Sequence, residues 1–307
     1  MGEQTSPNEL FMKNLLTGSL NRLLCRITGE KCSISRLTEA GGGSISHALV
    51  AETDKGKYFV KRNSIQFLAM FEAEADGLQA LSACPSLRVP HVIGCESDEL
   101  HAYLILEYIN MYPLPEGNIS AVAGQTLAEL HGITNNNFGW HQSNFIGSTP
   151  QSNIIHENWS EFFAHERLLP QLALAKNRRA DRLVASGERL AENLHVFFTS
   201  YRPAAVLLHG DLWRGNAAID KHGKLVLFDP AVYFGDRETD LAMTRLFGGF
   251  PSDFYAAYTE TQPLSAGYSQ RQTLYNLYHV LNHFNLFGGA YQHEAEHMIR
   301  RLLAEIG

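Results

Sequence analysis

The stretch AAVLLHGDLWRGNAAID, from Ala204 to Asp220, leaves this 307-residue chain the least freedom of fold. Its leading apolar run is too short for a helix and delivers His209, Gly210 and Asp211 in direct succession. After the turn at Lys221–Gly223 a second short apolar run, KLVLF, ends at Asp229. Short apolar runs bounded by turn residues read as strands, so Asp211, Asn216 and Asp229 are expected around one mouth of a hairpin. Singly, each of these residues is an ordinary turn former. As a set they can divide two tasks. One carboxylate accepts a hydroxyl proton, while the amide and the second carboxylate offer hard oxygen ligands to Mg²⁺.

A second constellation lies upstream. The stretch GGGSIS, starting at Gly41, sits between two strand-like segments, so the backbone of Gly41, Gly42, Gly43 and Ser44 could approach a phosphate closely. By itself such a triplet is more often a flexible turn, and it lacks the G-K-[ST] ending of a phosphate-binding loop. In KYFVKR, strand alternation puts Lys61 on the same face as Phe59. At 100° per residue from Phe67, the next helix places Phe71, Leu78 and Leu81 at about 40°, 20° and 320°, one apolar stripe. Glu74 falls at about 340°, inside that stripe, whereas Glu72 and Asp76 at about 140° and 180° point the opposite way. A carboxylate on a buried face requires a cation. Lys61 is the nearest candidate, and a Lys–Glu pair behind a glycine loop would fix the ammonium to hold phosphate oxygens.

Along the chain, strands dominate early and helices late. Helical spacing is expected over 8–27, 64–83, 120–132, 158–175, 178–200, 237–247, 251–260 and 269–306. Strands are expected over 33–62, near Val89–Cys95 and Tyr103–Tyr108, and as a hairpin over 205–230. NMYPLPEGN reads as a linker, which gives an α+β chain of two lobes: a small β-rich lobe over 1–109 and a larger, mainly helical lobe over 110–307, with a cleft between them.

Net charge is −7, so no global basic field exists to hold nucleic acid or an anionic membrane. The longest apolar runs fall far short of a bilayer span, and the acidic N-terminus lacks the basic and apolar regions of a signal peptide. Cys25, Cys32, Cys84 and Cys95 are scattered without a C-x-x-C pair, which suits reduced thiols in a cytoplasmic protein. His279 and His283, and again His293 and His297, stand four apart, a spacing that could present two imidazoles to a metal; they are read as packing residues and no zinc site is expected.

HGDLWRGN followed by DPAVYFGDRETDLAM resembles the fructosamine kinase (ketosamine-3-kinase) family of the protein-kinase-like superfamily, whose catalytic loop has the form H-x-D-x-x-x-x-N with a metal-binding Asp about a dozen residues on. FVK, FEAEADGL, LILEYI, FGW with NFIGSTPQSN, the Trp159–Leu168 spacing of aromatics, and LNHFNLFGG also fit that family, so the likeness covers nearly the whole chain. It implies a two-lobed protein-kinase-like fold in which Asp211 accepts the sugar hydroxyl proton and Asn216 and Asp229 hold Mg²⁺. It further implies that Lys61, partnered by Glu74, contacts ATP phosphates beneath the glycine loop, and that the backbone of Glu107, Tyr108 and Ile109 forms the hinge that pairs with adenine. Trp213 would lie beside the bound ketosamine, Asp240 would cap its helix or anchor the catalytic-loop backbone, and His209 would fix the loop. Some family members carry a Cys in the glycine loop; GGGSIS has none, so thiol control through it is not suggested.

The implied activity is ATP-dependent phosphorylation of a ketosamine, free or protein-bound, at O3, and hence deglycation. An aminoglycoside or choline kinase shares the H-x-D-x-x-x-x-N core but is disfavoured by HGDLW and DPAVYFGDRE. A binding module on a dead kinase fold would be expected to lack one of Lys61, Asp211, Asn216 or Asp229, and all are present.

Overall fold

The computed structural model describes residues 7–41 and 46–306, with side chains from residue 16 onward. It divides into two compact units, Met1–Gln79 with Pro90–Ile109, and Ala80–Val89 with Asn110–Gly307.

The first unit opens on helix α1 (Pro7–Thr28), followed by strands β1 (Ile34–Glu39), β2 (His47–Thr53) and β3 (Gly56–Ser64). A single 3-10 turn leads into α2 (Leu68–Leu81), after which β4 (Val92–Ser97) and β5 (His101–Glu107) complete an antiparallel sheet of order β1-β2-β3-β5-β4. Leu20, Leu23 and Leu24 of α1 pack with Leu37, Leu49, Val60 and Ile105 of the sheet. Phe71, Leu78 and Leu81 are fully buried along α2, as their common stripe requires.

The second unit carries α3 (Asn118–Leu130), β6 (Thr134–Asn135), β7 (Asn144–Ile146) and β8 (Thr149–Gln151). Next come α4 (Trp159–Phe163), a π-turn over Ala164–Leu168, α5 (Leu169–Asn177) and α6 (Asp181–Glu192). Strands β9 (Ala205–Leu208), β10 (Ala217–Ile219), β11 (Leu225–Leu227) and β12 (Tyr233–Gly235) lead to α7 (Glu238–Leu246), α8 (Ser252–Thr261), α9 (Tyr268–Phe287) and α10 (Tyr291–Ala304). Every residue of β9 is buried. Val206 and Leu208 enter one apolar cluster, with Phe162, Tyr275 and Leu281. Leu207 enters another, with Leu227, Leu241 and Phe254. Alternating strand faces thus feed two cores, and the strand end is held from both sides.

β9 is not an arm of the hairpin expected over 205–230; it is the centre of a sheet of order β12-β9-β6, while the hairpin through Lys221–Gly223 is β10 against β11, with Ile219 of β10 also bridging Tyr112. Asp211 therefore leaves the end of β9, and only Asn216 and Asp229 flank the true hairpin. Residues 80–89, expected with the first lobe, belong to the second unit, because the Arg88 N–H donates to the Leu225 carbonyl at 2.9 Å and Leu81, Cys84 and Leu87 enter the Leu207 cluster. The helical stretch 269–306 is two helices, broken at Gly288 and Gly289, whose φ values of 70° and 65° end a right-handed helix. Contrary to the expectation that no acidic partner completes an H-E-x-x-H run, His293-Glu294-Ala295-Glu296-His297 on α10 spells one. His293, Glu294 and His297 are exposed, and among the described residues no group of three His, Cys, Asp or Glu is arranged to hold a metal ion. Among the same residues no helix is long and apolar enough to cross a membrane.

Candidate active site

Strand β9 ends in a loop whose shape is set by buried side chains. The His209 ring is fully buried, with Nε2 2.9 Å from the Phe228 carbonyl and Nδ1 accepting the Asp211 N–H at 3.2 Å. That pair fixes the neutral ring as the Nε2–H tautomer. Burial first, only partly opposed by the Asp240 charge, holds its pKa below the ordinary imidazole value. His209 is accordingly a spacer, as expected, rather than a proton carrier. Gly210 adopts φ 82°, and a Cβ there would sit 2.0 Å from the Ala231 carbonyl oxygen, so the chain passes too close to the next segment for any side chain.

Asp240, on α7, braces this turn from below. Its Oδ2 accepts the His209 N–H at 2.8 Å and its Oδ1 the Gly210 N–H at 2.9 Å; Oδ2 also lies 3.2 Å from Nε2 of His131, whose Nδ1 is 2.8 Å from the Tyr258 hydroxyl. Of the two roles expected for Asp240, the structure shows the anchor. Burial alone would raise its pKa, but the hydrogen bond and charge of His131 outweigh it and hold the carboxyl below its ordinary value. His131 has no motif to mark it and was missed from sequence.

Asn216, buried just before β10, turns its amide NH₂ on Asp211, donating to the backbone carbonyl at 2.9 Å and to Oδ2 at 3.2 Å, and reaches the Asp229 carbonyl at 3.5 Å. Asp229 adopts φ 56°, one of two non-glycine residues with positive φ among those described. An Asp tolerates that region at a cost and is found there where the surroundings over-determine it. The structure thus brings Asp211, Asn216 and Asp229 together. Burial, and next the negative charge of Asp229, push the Asp211 carboxyl up to about 7.

Trp213 is 38% exposed and lies over Gly215, where an added Cβ would meet the indole Cζ2 at 2.3 Å. The missing side chain seats the ring. Gly215→Ala is therefore expected to displace Trp213 while leaving Asp211 in place. Steady-state kinetics test the acceptor contact that the resemblance implies for Trp213: the expected result is an acceptor KM raised about tenfold, a loss of the order of one buried contact, with the KM for ATP unchanged.

A second brace reaches the segment after Asp229. Asn144 donates to the Val232 carbonyl at 2.7 Å, and Gln151 to the Ala231 carbonyl at 3.3 Å and to Asn144 Oδ1 at 2.8 Å. Asn153 joins through Asn144 Oδ1 at 2.9 Å, and Arg167 donates to Asn153 Oδ1 at 2.7 Å and to the Ser152 carbonyl at 2.6 Å. Arg167 is fully buried. Its guanidinium lies over the Tyr233 ring at 4.0 Å and the Phe162 ring at 4.6 Å, a desolvated cation–π setting.

The first unit holds the other predicted residues. Lys61 Nζ donates to Glu74 Oε1 at 2.7 Å and Oε2 at 2.8 Å, with both side chains about nine-tenths buried. Glu107 ends β5, with its N–H on the His91 carbonyl at 2.8 Å; Tyr108 has Lys57 Nζ 5.8 Å from its ring centroid, and Ile109 closes the unit. Gly41 is exposed. Gly42, Gly43 and Ser44 lie outside the described residues.

A strand-end Asp braced through the chain's own N–H groups, with an Asn amide turned on it and a second Asp close enough for its charge to be felt, suits a phosphotransferase. The fold is the protein-kinase-like fold, seen also in an aminoglycoside phosphotransferase at 18% identity and a TM-score of 0.60. The chain belongs to the fructosamine kinase family, whose model matches residues 17–305. It is 43% identical over 283 residues to a Synechocystis protein named as a probable ketoamine kinase, covering 91% of this chain and 94% of that one. It is 41% identical over 276 residues to the chloroplastic protein-ribulosamine 3-kinase of Arabidopsis thaliana, covering 88% and 83%. The crystal structure of a protein assigned as a fructosamine-3-kinase from Thermobifida fusca superimposes with a TM-score of 0.82 at 31% identity, over 93% of this chain and 99% of that one.

Proposed function

We propose that this protein transfers the γ-phosphoryl group of ATP to O3 of a ketosamine, such as a ribulosamine or fructosamine, free or attached to protein. The observation that carries the reading is the Asp211–Asn216–Asp229 cluster at the end of β9, in a chain of this family. Asp211 accepts the proton of the attacking sugar hydroxyl, a contribution of about 10² to 10⁴ in rate. A carboxyl titrating near neutrality is suited to that task. Lys61, held by Glu74, contacts ATP phosphates under the glycine loop of Gly41–Ser44, and the backbone of Glu107–Ile109 pairs with adenine. Trp213 lies beside the sugar, its face toward C–H groups.

Mg²⁺ fits the donor set. Asn216 and Asp229 supply an amide oxygen and a carboxylate, hard ligands of the kind that hold this ion with phosphate oxygens. Burial chiefly, and next the Asp229 charge, raise the Asp211 pKa, and a dication relieves the repulsion between the two carboxylates; when bound, the ion would neutralise charge on the transferring phosphoryl group. Phosphorylation at O3 makes the adduct prone to eliminate and release the amine, so deglycation is the role that follows. A cytoplasmic setting belongs to the same reading, supported by the free thiols of all four cysteines.

The test is a panel of acceptors with Mg-ATP: ribulose– and fructose–lysine adducts, kanamycin and choline. The expected result is phosphate transfer to O3 of the ketosamines alone. Turnover of kanamycin or choline without turnover of any ketosamine overturns the acceptor, and no turnover with no ATP binding overturns the enzyme.

A further inference from the structure

Trp213, two residues from Asp211, is the first of a series of rings in the second unit. Its ring centroid lies 6.2 Å from that of Phe247, just beyond the end of α7, in an edge-on contact. Phe247 lies 4.7 Å from His283 on α9, and His283 lies 5.6 Å from Phe287 and 5.2 Å from Tyr291. Rings in contact are usually core, yet Trp213 and Phe287 are 38% and 59% exposed, and Phe247, His283 and Tyr291 are half-buried. His283 Nδ1 is occupied by the His279 carbonyl at 2.9 Å, which fixes the ring's orientation. The rings come from four separate segments and form a partly exposed run of ring contacts that begins at the catalytic loop, the kind of feature that takes an apolar ligand.

The chemistry of a ketosamine says which part of it belongs there. Its nitrogen is a secondary ammonium on C1, two carbons from the C3 that carries the reacting hydroxyl, and the amine substituent extends beyond it. Sugar hydroxyls require hydrogen-bond partners, whereas ring faces suit an ammonium and methylenes. Resting on the function proposed above, we infer that Trp213, Phe247 and His283 form a subsite for the amine substituent of the ketosamine. The ammonium meets the Trp213 ring, and the alkyl stem of a glycated lysine, or another apolar chain, runs on over Phe247 and His283 toward Phe287. The subsite makes the enzyme selective for adducts of long-stemmed amines over those of short ones.

Three adducts of one sugar test this: on methylamine, on n-hexylamine and on the side chain of Nα-acetyl-lysine amide. A covered methylene is worth roughly fourfold in affinity. The hexylamine and blocked-lysine adducts are therefore expected to exceed the methylamine adduct at least about tenfold in kcat/KM, mostly through KM. Phe247→Ala is expected to reduce that ratio to about threefold or less, by losses confined mainly to the long adducts. Phe287→Ala, at an exposed position where folding is not at stake, is expected to lower the long-adduct values alone. Equal kcat/KM for methylamine and hexylamine adducts in the unsubstituted protein overturns the subsite, as does a uniform loss across all three in both variants. Absence of turnover on every adduct removes the parent reading and the subsite with it, an outcome separate from equal turnover.

Discussion

Asp211→Asn lowers kcat for ketosamine phosphorylation by about 10³-fold with little change in the KM for ATP, and in metal-free, nucleotide-free protein it raises the thermal midpoint at pH 8. The first effect follows from removing the proposed proton acceptor while keeping its size and its capacity to accept the Asn216 hydrogen bond of 3.2 Å. The second follows from the cost of the charge. Burial and the Asp229 carboxylate push the Asp211 pKa from 3.8 to about 7, so the folded state binds this proton more tightly than the unfolded chain does. Stability is then undiminished below about pH 4, falls as pH rises toward about 7, and is constant beyond. At about 1.4 kcal/mol per pH unit the ceiling is about 4 kcal/mol. Asn carries no such cost, so the variant's advantage is absent at pH 4 and complete at pH 8, several degrees in midpoint. Mg²⁺ narrows the gap by stabilising the unsubstituted protein preferentially. Thermal scans at the two pH values in EDTA check this, and a lower midpoint for the variant at pH 8 contradicts it.

Both side-chain clusters were legible in the sequence, one through a conflict that a single partner resolves and the other through the chemistry its residue types share. Glu74 stands in an otherwise apolar stripe, and the 100° spacing was enough to assign it to Lys61, which the structure pairs with it through both oxygens. Asp211, Asn216 and Asp229 were expected together for their chemistry; they meet, although through β9 and the β10–β11 hairpin rather than one long hairpin. Strands of two or three residues such as β6, β7, β8 and β12 left no periodicity to read. Arg167 was invisible for a different reason. An arginine in a sequence reads as surface, and its burial depends on the Phe162 ring nearby, on the Tyr233 ring from a distant strand and on oxygens of Ser152 and Asn153, partners that no local pattern assigns to it. His131 and Phe247 likewise gain their roles only through contacts with Asp240 and Trp213 that no local pattern encodes.

Asp240→Ala is expected to cost about 3–5 kcal/mol of stability at neutral pH, the range for stripping one partner from a buried charged network, and to lower kcat as well. The carboxylate is 1% exposed and accepts two backbone N–H groups and faces the His131 ring. Without it the N–H groups of His209 and Gly210 stay buried with no acceptor, each an unmet desolvation cost. Since the Asp240 pKa lies below its ordinary value despite the burial that opposes this, the contribution is present from above pH 4 upward and disappears only in acid. Asp240→Asn does not restore it, because an amide turns an N–H toward one of the two N–H groups. His131→Ala, which removes one contact and spares both backbone bonds, is expected to cost less. The kinetic consequence separates a brace from a general support. Gly210, at φ 82° and against the Ala231 carbonyl, can hold Asp211 in place only while its N–H is tied down. The loss in Asp240→Ala should therefore fall on kcat, with the KM for ATP near its original value. Urea midpoints measure the first effect and steady-state kinetics below the unfolding range the second. A kcat within about threefold of the unsubstituted enzyme, alongside a large stability loss, would show that α7 supports the fold but does not aim Asp211.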